Sequence, residues 1–292
     1  MNPITDAKQS PARTAHYPRI LSIAGSDSGG GAGIQADLKT FSALGCFGMT
    51  AITAITAQNT VGVRAIHGVP PEMLKAQIQA VVEDIGVDAV KIGMLHSIET
   101  VKVVAWAIRH YCLPNVVLDP VMVATSGDPL MAAEAVQVLV DELFGLVTVI
   151  TPNLDEAELL LNRKITGIDA LEVAANDLLA LSAKAVLLKG GHLQGNEVVD
   201  VLVQPGQATL RLASERINSR NVHGTGCTLS SAIAAHLALG LDLPQATTKA
   251  RSFVLGAIAA GAGVQTGQGH GPLNHGYAPR IMKPCGTDRS DA

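Results

Sequence analysis

Short apolar runs alternate with longer amphipathic segments along most of this chain, and that alternation predicts its fold. Residues 20–24, 50–57, 89–92, 116–118, 147–150 and 186–188 are apolar runs of strand length, rich in Val and Ile. Between them, residues 34–44, 72–85, 98–111, 132–144, 154–161 and 170–182 place apolar side chains at helical spacing. Strand–helix alternation of this kind predicts an α/β protein with a doubly wound, mostly parallel sheet and helices on both faces. Runs at 198–203 and 209–212 are too closely spaced for a crossover helix, so they predict a small antiparallel sheet edge. Helices over 225–240 and 244–264 close the fold. There is no internal repeat and no linker, so 19–278 reads as a single domain. The polar, Pro-containing segments 1–18 and 279–292 read as flexible tails.

Composition narrows the class. Of 292 residues, 48% are hydrophobic but only 3% aromatic, which suits close-packed Ala, Val, Leu and Ile between a sheet and its helices. A net charge of −4 gives no electrostatic basis for binding nucleic acid. No apolar run approaches the roughly 18 residues that a membrane span needs, and the first residues lack a signal-peptide pattern. The four cysteines at 46, 112, 227 and 285 are scattered, without a C-x-x-C pair, which favours a reducing, cytoplasmic setting over disulfides or structural zinc.

In doubly wound sheets, ligands bind beyond the carboxyl ends of the strands, and the chemistry-bearing residues fall there. The stretch from Asn221 to Gly240 is the most informative: Gly224, Thr225, Gly226 and Cys227 form a Gly-rich turn that opens a helix. Such a turn presents unpaired N–H groups and the positive end of the helix dipole, a site for phosphate. Cys227 in the first helical turn should have a lowered thiol pKa. The first strand is followed by Gly25-Ser-Asp-Ser-Gly-Gly-Gly-Ala-Gly33, whose glycine spacing is not G-x-G-x-x-G and which suits the floor of a flat-ring pocket. Asp37, one turn into the next helix, points either at that pocket or merely along the favourable helix dipole. Gln58 ends the second strand with a donor and an acceptor that could match an aminopyrimidine edge, although a turn-stabilising amide is the commoner case. Met94 offers a soft apolar wall. Asp119, after the fourth strand, could hold Mg²⁺ directly or through water. Asn153 and Glu156 have the spacing of a capping box and also that of an outer Mg²⁺ shell. Lys189 beside Gly190-Gly191 is placed for a nucleotide phosphate. Ser126-Gly-Asp-Pro129 reads as a mobile turn.

Each signal is modest alone, but their order is specific: A-G-S-D-S-G-G-G-A-G-I-Q-A-D-L-K-T, A-Q-N-T, K-I-G-M-L, D-P-V-M, T-P-N-L-D-E-A, L-K-G-G-H and H-G-T-G-C-T. The series resembles the bifunctional hydroxymethylpyrimidine/phosphomethylpyrimidine kinases of thiamin synthesis, a branch of the ribokinase-like kinases, from about residue 20 to 277. The usual ribokinase-like motif ends in Asp; the Cys227 variant is typical of this branch. The resemblance implies a cytoplasmic homodimer that uses ATP with Mg²⁺. It would convert 4-amino-5-hydroxymethyl-2-methylpyrimidine to its monophosphate and then to the diphosphate. It implies that Gln58 reads the pyrimidine edge, that Gly25 and Asp37 line the pocket near the hydroxymethyl group, and that Met94 packs beside it. Asp119, Asn153 and Glu156 would serve the Mg²⁺–phosphate end. Lys189, Asn153 and Thr225 would contact the nucleotide, and Gly224, Gly226 and Cys227 with Lys189 would form the catalytic anion hole. The competing readings are a pyridoxal kinase on the same scaffold, an NAD enzyme with its dinucleotide at 25–33, and a catalytically silent sensor.

Overall fold

The computed structural model describes residues 15–122, 131 and 133–285. Nine strands form one sheet in the order β3-β2-β1-β4-β5-β6-β7-β8-β9. The parallel centre comprises β2 (Phe47–Gln58), β1 (Arg19–Asp27), β4 (Ala89–Ile92), β5 (Val116–Leu118), β6 (Val149–Ile150) and β7 (Val186–Leu188). The antiparallel pair expected at one edge is β8 (Glu197–Val203) and β9 (Leu210–Glu215). The opposite edge is also antiparallel: β3 (Val63–Gly68) pairs with β2. Sequence patterning missed β3 because most of its residues are solvent-exposed, so it shows no apolar alternation.

The central strands bury both faces, and alternate residues feed two cores. Val90, Ile92, Val116, Leu118, Ile150, Val186 and Leu188 face the larger core. Over it lie α2 (Pro71–Asp84), α3 (Ile98–Tyr111), α4 (Ala133–Leu139, continued by a π-helical turn Val140–Phe144), α5 (Leu154–Leu161) and α6 (Asp169–Leu179). Ala89, Val117, Val149, Ala185 and Leu187 face the other, beneath α1 (Gly33–Ala43), α7 (Thr225–Ala238) and α8 (Leu243–Gly261). Helix α7 is packed between the sheet, α1 and α8, and every residue from Thr228 to Leu237 is buried. Its run of Ser and Ala is what permits so close an approach.

Both expected tails need correction where they are described. His16 and Cys285 form a bridge, Phe47 N–H donates to Pro18 O at 2.8 Å, and Arg280 N–H donates to Ala43 O at 2.9 Å. These contacts fasten 15–18 and 279–285 to the domain. Residues 1–14 and 286–292 lie outside the described residues, as does the expected mobile turn Ser126–Pro129. No helix among the described residues is long and apolar enough to cross a membrane.

Candidate active site

The strand order reverses at β1, which has β2 on one side and β4 on the other, and this switch point opens a crevice at the carboxyl ends of the strands. A cavity of about 430 Å³ occupies it. Gly25, Gln58, Met94, Asp119, Asn153, Glu156, Lys189, Gly224, Thr225, Gly226 and Cys227 all line this one cavity, although they come from separate strand ends, loops and helix starts.

The phosphate end is built on α7. Gly224 caps the helix with φ 85°, a backbone conformation that glycine adopts without strain. A Cβ at Gly224 would lie 1.8 Å from Gly31 O, so no other residue fits. Thr228 N–H donates to Gly224 O at 2.8 Å and Thr225 Oγ1 to Val222 O at 2.7 Å. This leaves the N–H groups of Gly226 and Cys227 without intrahelical carbonyls. Facing them, Lys189 Nζ donates to Asp119 Oδ1 at 2.8 Å, and Thr151 Oγ1 donates to the same oxygen at 3.0 Å. Burial pushes the Asp119 carboxyl up, but Lys189 and Lys91 outweigh it and hold it below the ordinary range. Burial pulls Lys189 down, and Asp119 and Glu156 more than reverse that. Both groups are therefore ionised at neutral pH.

Asn153 and Glu156 satisfy both of their readings. Asn153 Oδ1 accepts from Glu156 N–H at 2.9 Å and Glu156 Oε2 accepts from Asn153 N–H at 2.7 Å, a reciprocal capping box at the start of α5. Both side chains also reach the cavity. Glu156 is 4% exposed, and burial pushes its carboxyl up to about 7.

Two expectations change. Asp37 does not line the cavity; it is fully buried behind it, bound to Lys91 Nζ, Ser22 Oγ and Ser231 Oγ. The Cys227 thiol is not lowered by its helix position: burial pushes it up to about 11, against the pull of Lys91. Desolvation of a thiolate exceeds the dipole effect here.

Sequence reasoning also missed three groups. Asp27 organises the Gly-rich loop: its carboxylate accepts from Gly29 N–H at 2.7 Å, Gly31 N–H at 3.0 Å and Ala32 N–H at 2.9 Å. The loop is therefore a fixed wall rather than a flexible floor. His223, just before the anion-hole turn, places Nε2 3.0 Å from Asp27 and 3.4 Å from the Gln58 amide nitrogen. Lys91 is a charge within an otherwise apolar strand, and that anomaly was the legible signal.

A family model described as phosphomethylpyrimidine kinase matches residues 27–274. The chain belongs to that family. The kinase of Rhizobium meliloti named hydroxymethylpyrimidine/phosphomethylpyrimidine kinase is 52% identical over 257 residues, spanning 87% of this chain and 96% of that protein. The crystal structure of phosphomethylpyrimidine kinase from Clostridium difficile is 44% identical, with TM-score 0.72 over 82% of this chain and 99% of that one. An ADP complex of Bacillus subtilis pyridoxal kinase is 38% identical, with TM-score 0.83 over 90% of this chain and 98% of that one. The expected ribokinase-like fold and the class of phosphotransferase both hold.

Proposed function

We propose that this kinase phosphorylates 4-amino-5-hydroxymethyl-2-methylpyrimidine with ATP and then phosphorylates the monophosphate to the diphosphate, a pair of steps in thiamin biosynthesis. The observation that carries this reading is the continuity of one cavity from Gln58 and Met94 to Lys189 and the Gly224–Cys227 turn. The first pair suits a flat aminopyrimidine: an amide that donates and accepts, opposite a thioether wall. Gly25 keeps the ring close to that wall, since a Cβ there would lie 3.3 Å from Met94 Sδ. The second group suits a transferring phosphoryl.

Phosphoryl transfer depends on alignment and charge neutralisation more than on covalent chemistry. The N–H groups of Gly226 and Cys227 hold the oxygens of the moving phosphoryl, and the helix dipole is fixed before the reaction begins. Lys189, clamped by Asp119, faces the nucleotide phosphates, with Thr225 and Asn153 beside it. Cys227 stays a neutral thiol at physiological pH and does not act as a resident base. A loose transition state asks little of one, and the second acceptor is already ionised. A fixed carboxylate at this position would repel that acceptor; a neutral thiol does not.

Mg²⁺ fits the donor set. Glu156 is a buried carboxyl with no ion pair among the described residues, and Asp119 is an ionised one on the same cavity wall. Among the described residues there is no cluster of three or more His, Cys, Asp or Glu. Two carboxylates and an amide on one cavity wall suit an ion that keeps several waters and takes substrate phosphate oxygens. Asp119 and Glu156 would hold the ion, oriented by Asn153, and it would supply charge neutralisation at the phosphates.

A cytoplasmic homodimer completes the reading. Ile55 on β2 and Ile66 on β3 are half exposed on opposite faces of this sheet edge, since Ile55 pairs with His67 and Thr56 with Ile66, and a second copy of the chain would cover such exposed apolar side chains. Light scattering at dimer mass supports this, and loss of the dimer in Ile55→Glu locates it.

The decisive test is phosphorus NMR of a reaction with Mg·ATP and the hydroxymethylpyrimidine. Monophosphate followed by diphosphate is the expected outcome. The structural likeness to pyridoxal kinases keeps a second reading alive, and a higher kcat/KM for pyridoxal than for the pyrimidine would replace the first with it.

A further inference from the structure

Two lysine–aspartate pairs flank the anion-hole turn, and the reading above uses only Lys189–Asp119. The other is Lys91–Asp37. Lys91 Nζ lies 2.9 Å from each oxygen of the Asp37 carboxylate, and both side chains are fully buried. Asp37 also accepts from Ser22 Oγ at 2.6 Å and from Ser231 Oγ at 2.7 Å. Residues of β1, α1, β4 and α7 thus fix its orientation. The pair is directional. Lys91 reaches the cavity wall, whereas Asp37 lies behind it. Two of the three N–H bonds of the ammonium point at Asp37. Its positive end lies within electrostatic reach of Cys227 and Asp119, in the same sense as the N-terminus of α7.

Stability alone is a weak reason for this charge. A buried ion pair contributes little more than an apolar pair of similar volume, and β4 is otherwise Ala, Val and Ile. An oriented pair in a poorly screened interior is better explained by a charge it must meet. The two acceptors differ in that respect. The first is a neutral alcohol; the second is a phosphate monoester, mostly dianionic at neutral pH. Lys189 stands with Asp119 and Glu156 at the nucleotide end, while Lys91 Nζ lies at the acceptor wall, 2.9 Å from where a Cβ on Gly93, next to Met94, would stand.

We propose that Lys91, oriented by Asp37, is a positioning residue for the second acceptor, whose phosphate charge it offsets from the acceptor wall. The inference rests on the two-step reading of the same cavity. It makes Lys91 a determinant of how far the reaction proceeds, not of whether the site binds ATP.

The test measures kcat and KM separately for the alcohol and for its monophosphate, first with the wild-type enzyme. A wild type that does not turn over the monophosphate removes the two-step reading and this inference with it. Given wild-type turnover, the variant is Lys91→Met combined with Asp37→Leu, which leaves no lone buried charge. Its kcat/KM for the monophosphate should fall at least tenfold more than that for the alcohol, chiefly through KM. Lys91→Arg, which keeps the charge, should restore the ratio between the two acceptors even where thermal stability is lowered. Equal losses at both acceptors in the double variant, or a ratio that Lys91→Arg shifts as far as the double variant does, would overturn the proposal. If the double variant does not fold, Lys91→Gln combined with Asp37→Asn, a neutral pair of similar shape, carries the same test with the same two outcomes.

Discussion

Lys189 Nζ donates to Asp119 at 2.8 Å, and Gly226 passes so close that a Cβ there would lie 3.1 Å from the same nitrogen. The ion pair and the anion hole are thus fitted to each other through a missing side chain. Gly226→Ala should displace Lys189 without disturbing the core, because the obstructing atom is the end of a long side chain. We expect kcat to fall by about tenfold to a hundredfold, with the melting temperature nearly unchanged. A large drop in melting temperature would mean that the glycine serves the fold instead.

Lys189→Met removes one partner of a buried pair. Leaving Asp119 uncompensated should cost about 3–5 kcal/mol of stability at neutral pH, measured by urea unfolding. The paired Asp119 is held below its unfolded pKa. Its contribution is therefore present above about pH 4 and is lost as pH falls through the lower folded value. The difference between wild type and variant should shrink in acid.

Glu156 behaves in the opposite sense. Its folded value is pushed up to about 7, so the folded state binds a proton that the unfolded state releases near pH 4. Stability falls as pH rises from there to about 7. Glu156→Gln keeps the capping-box geometry and removes the penalty. The variant should be more stable than wild type at pH 8, with the advantage gone by pH 4, and should lose most of its kinase activity. An activity loss accompanied by lower stability at pH 8 would instead point to the cap.

Cys227→Asp places a carboxylate where a neutral thiol stands. The second phosphorylation should suffer more than the first, read as the ratio of diphosphate to monophosphate by phosphorus NMR. Cys227→Ser should keep both steps within a few-fold, because neither residue is ionised at neutral pH. A thiolate-dependent limb in the wild-type pH profile between 6 and 9 would contradict the raised thiol value.

Asp27→Asn weakens the acceptor of three loop N–H groups and of His223. The Gly-rich loop and Gln58 should lose their fixed relation to the anion hole. KM for the pyrimidine should rise about tenfold or more, with the KM for ATP little changed. Equal rises in both would show that the loop serves the whole cavity.

The layers of this protein, and the set of residues that meet in one cavity, were legible in the linear pattern. Strand runs and helical spacing depend on local periodicity, so the parallel centre, the β8–β9 edge and the helices were legible within a few residues. Motifs at strand ends were legible too, because a parallel sheet sends all those ends to one side; Gln58, Met94, Asp119, Glu156, Lys189 and the Gly224–Cys227 turn duly share a cavity. Which titratable groups face that cavity and which stand behind it emerges from long-range packing alone. Asp37 has the helical position of a pocket residue, yet Lys91, 54 residues away in sequence, holds it inside. Cys227 has the helix-start position of a reactive thiol, yet partial burial, with Asp37 and Asp119 nearby, pushes its thiol up. Charge and solvation depend on neighbours from distant segments, and a linear pattern does not carry that information.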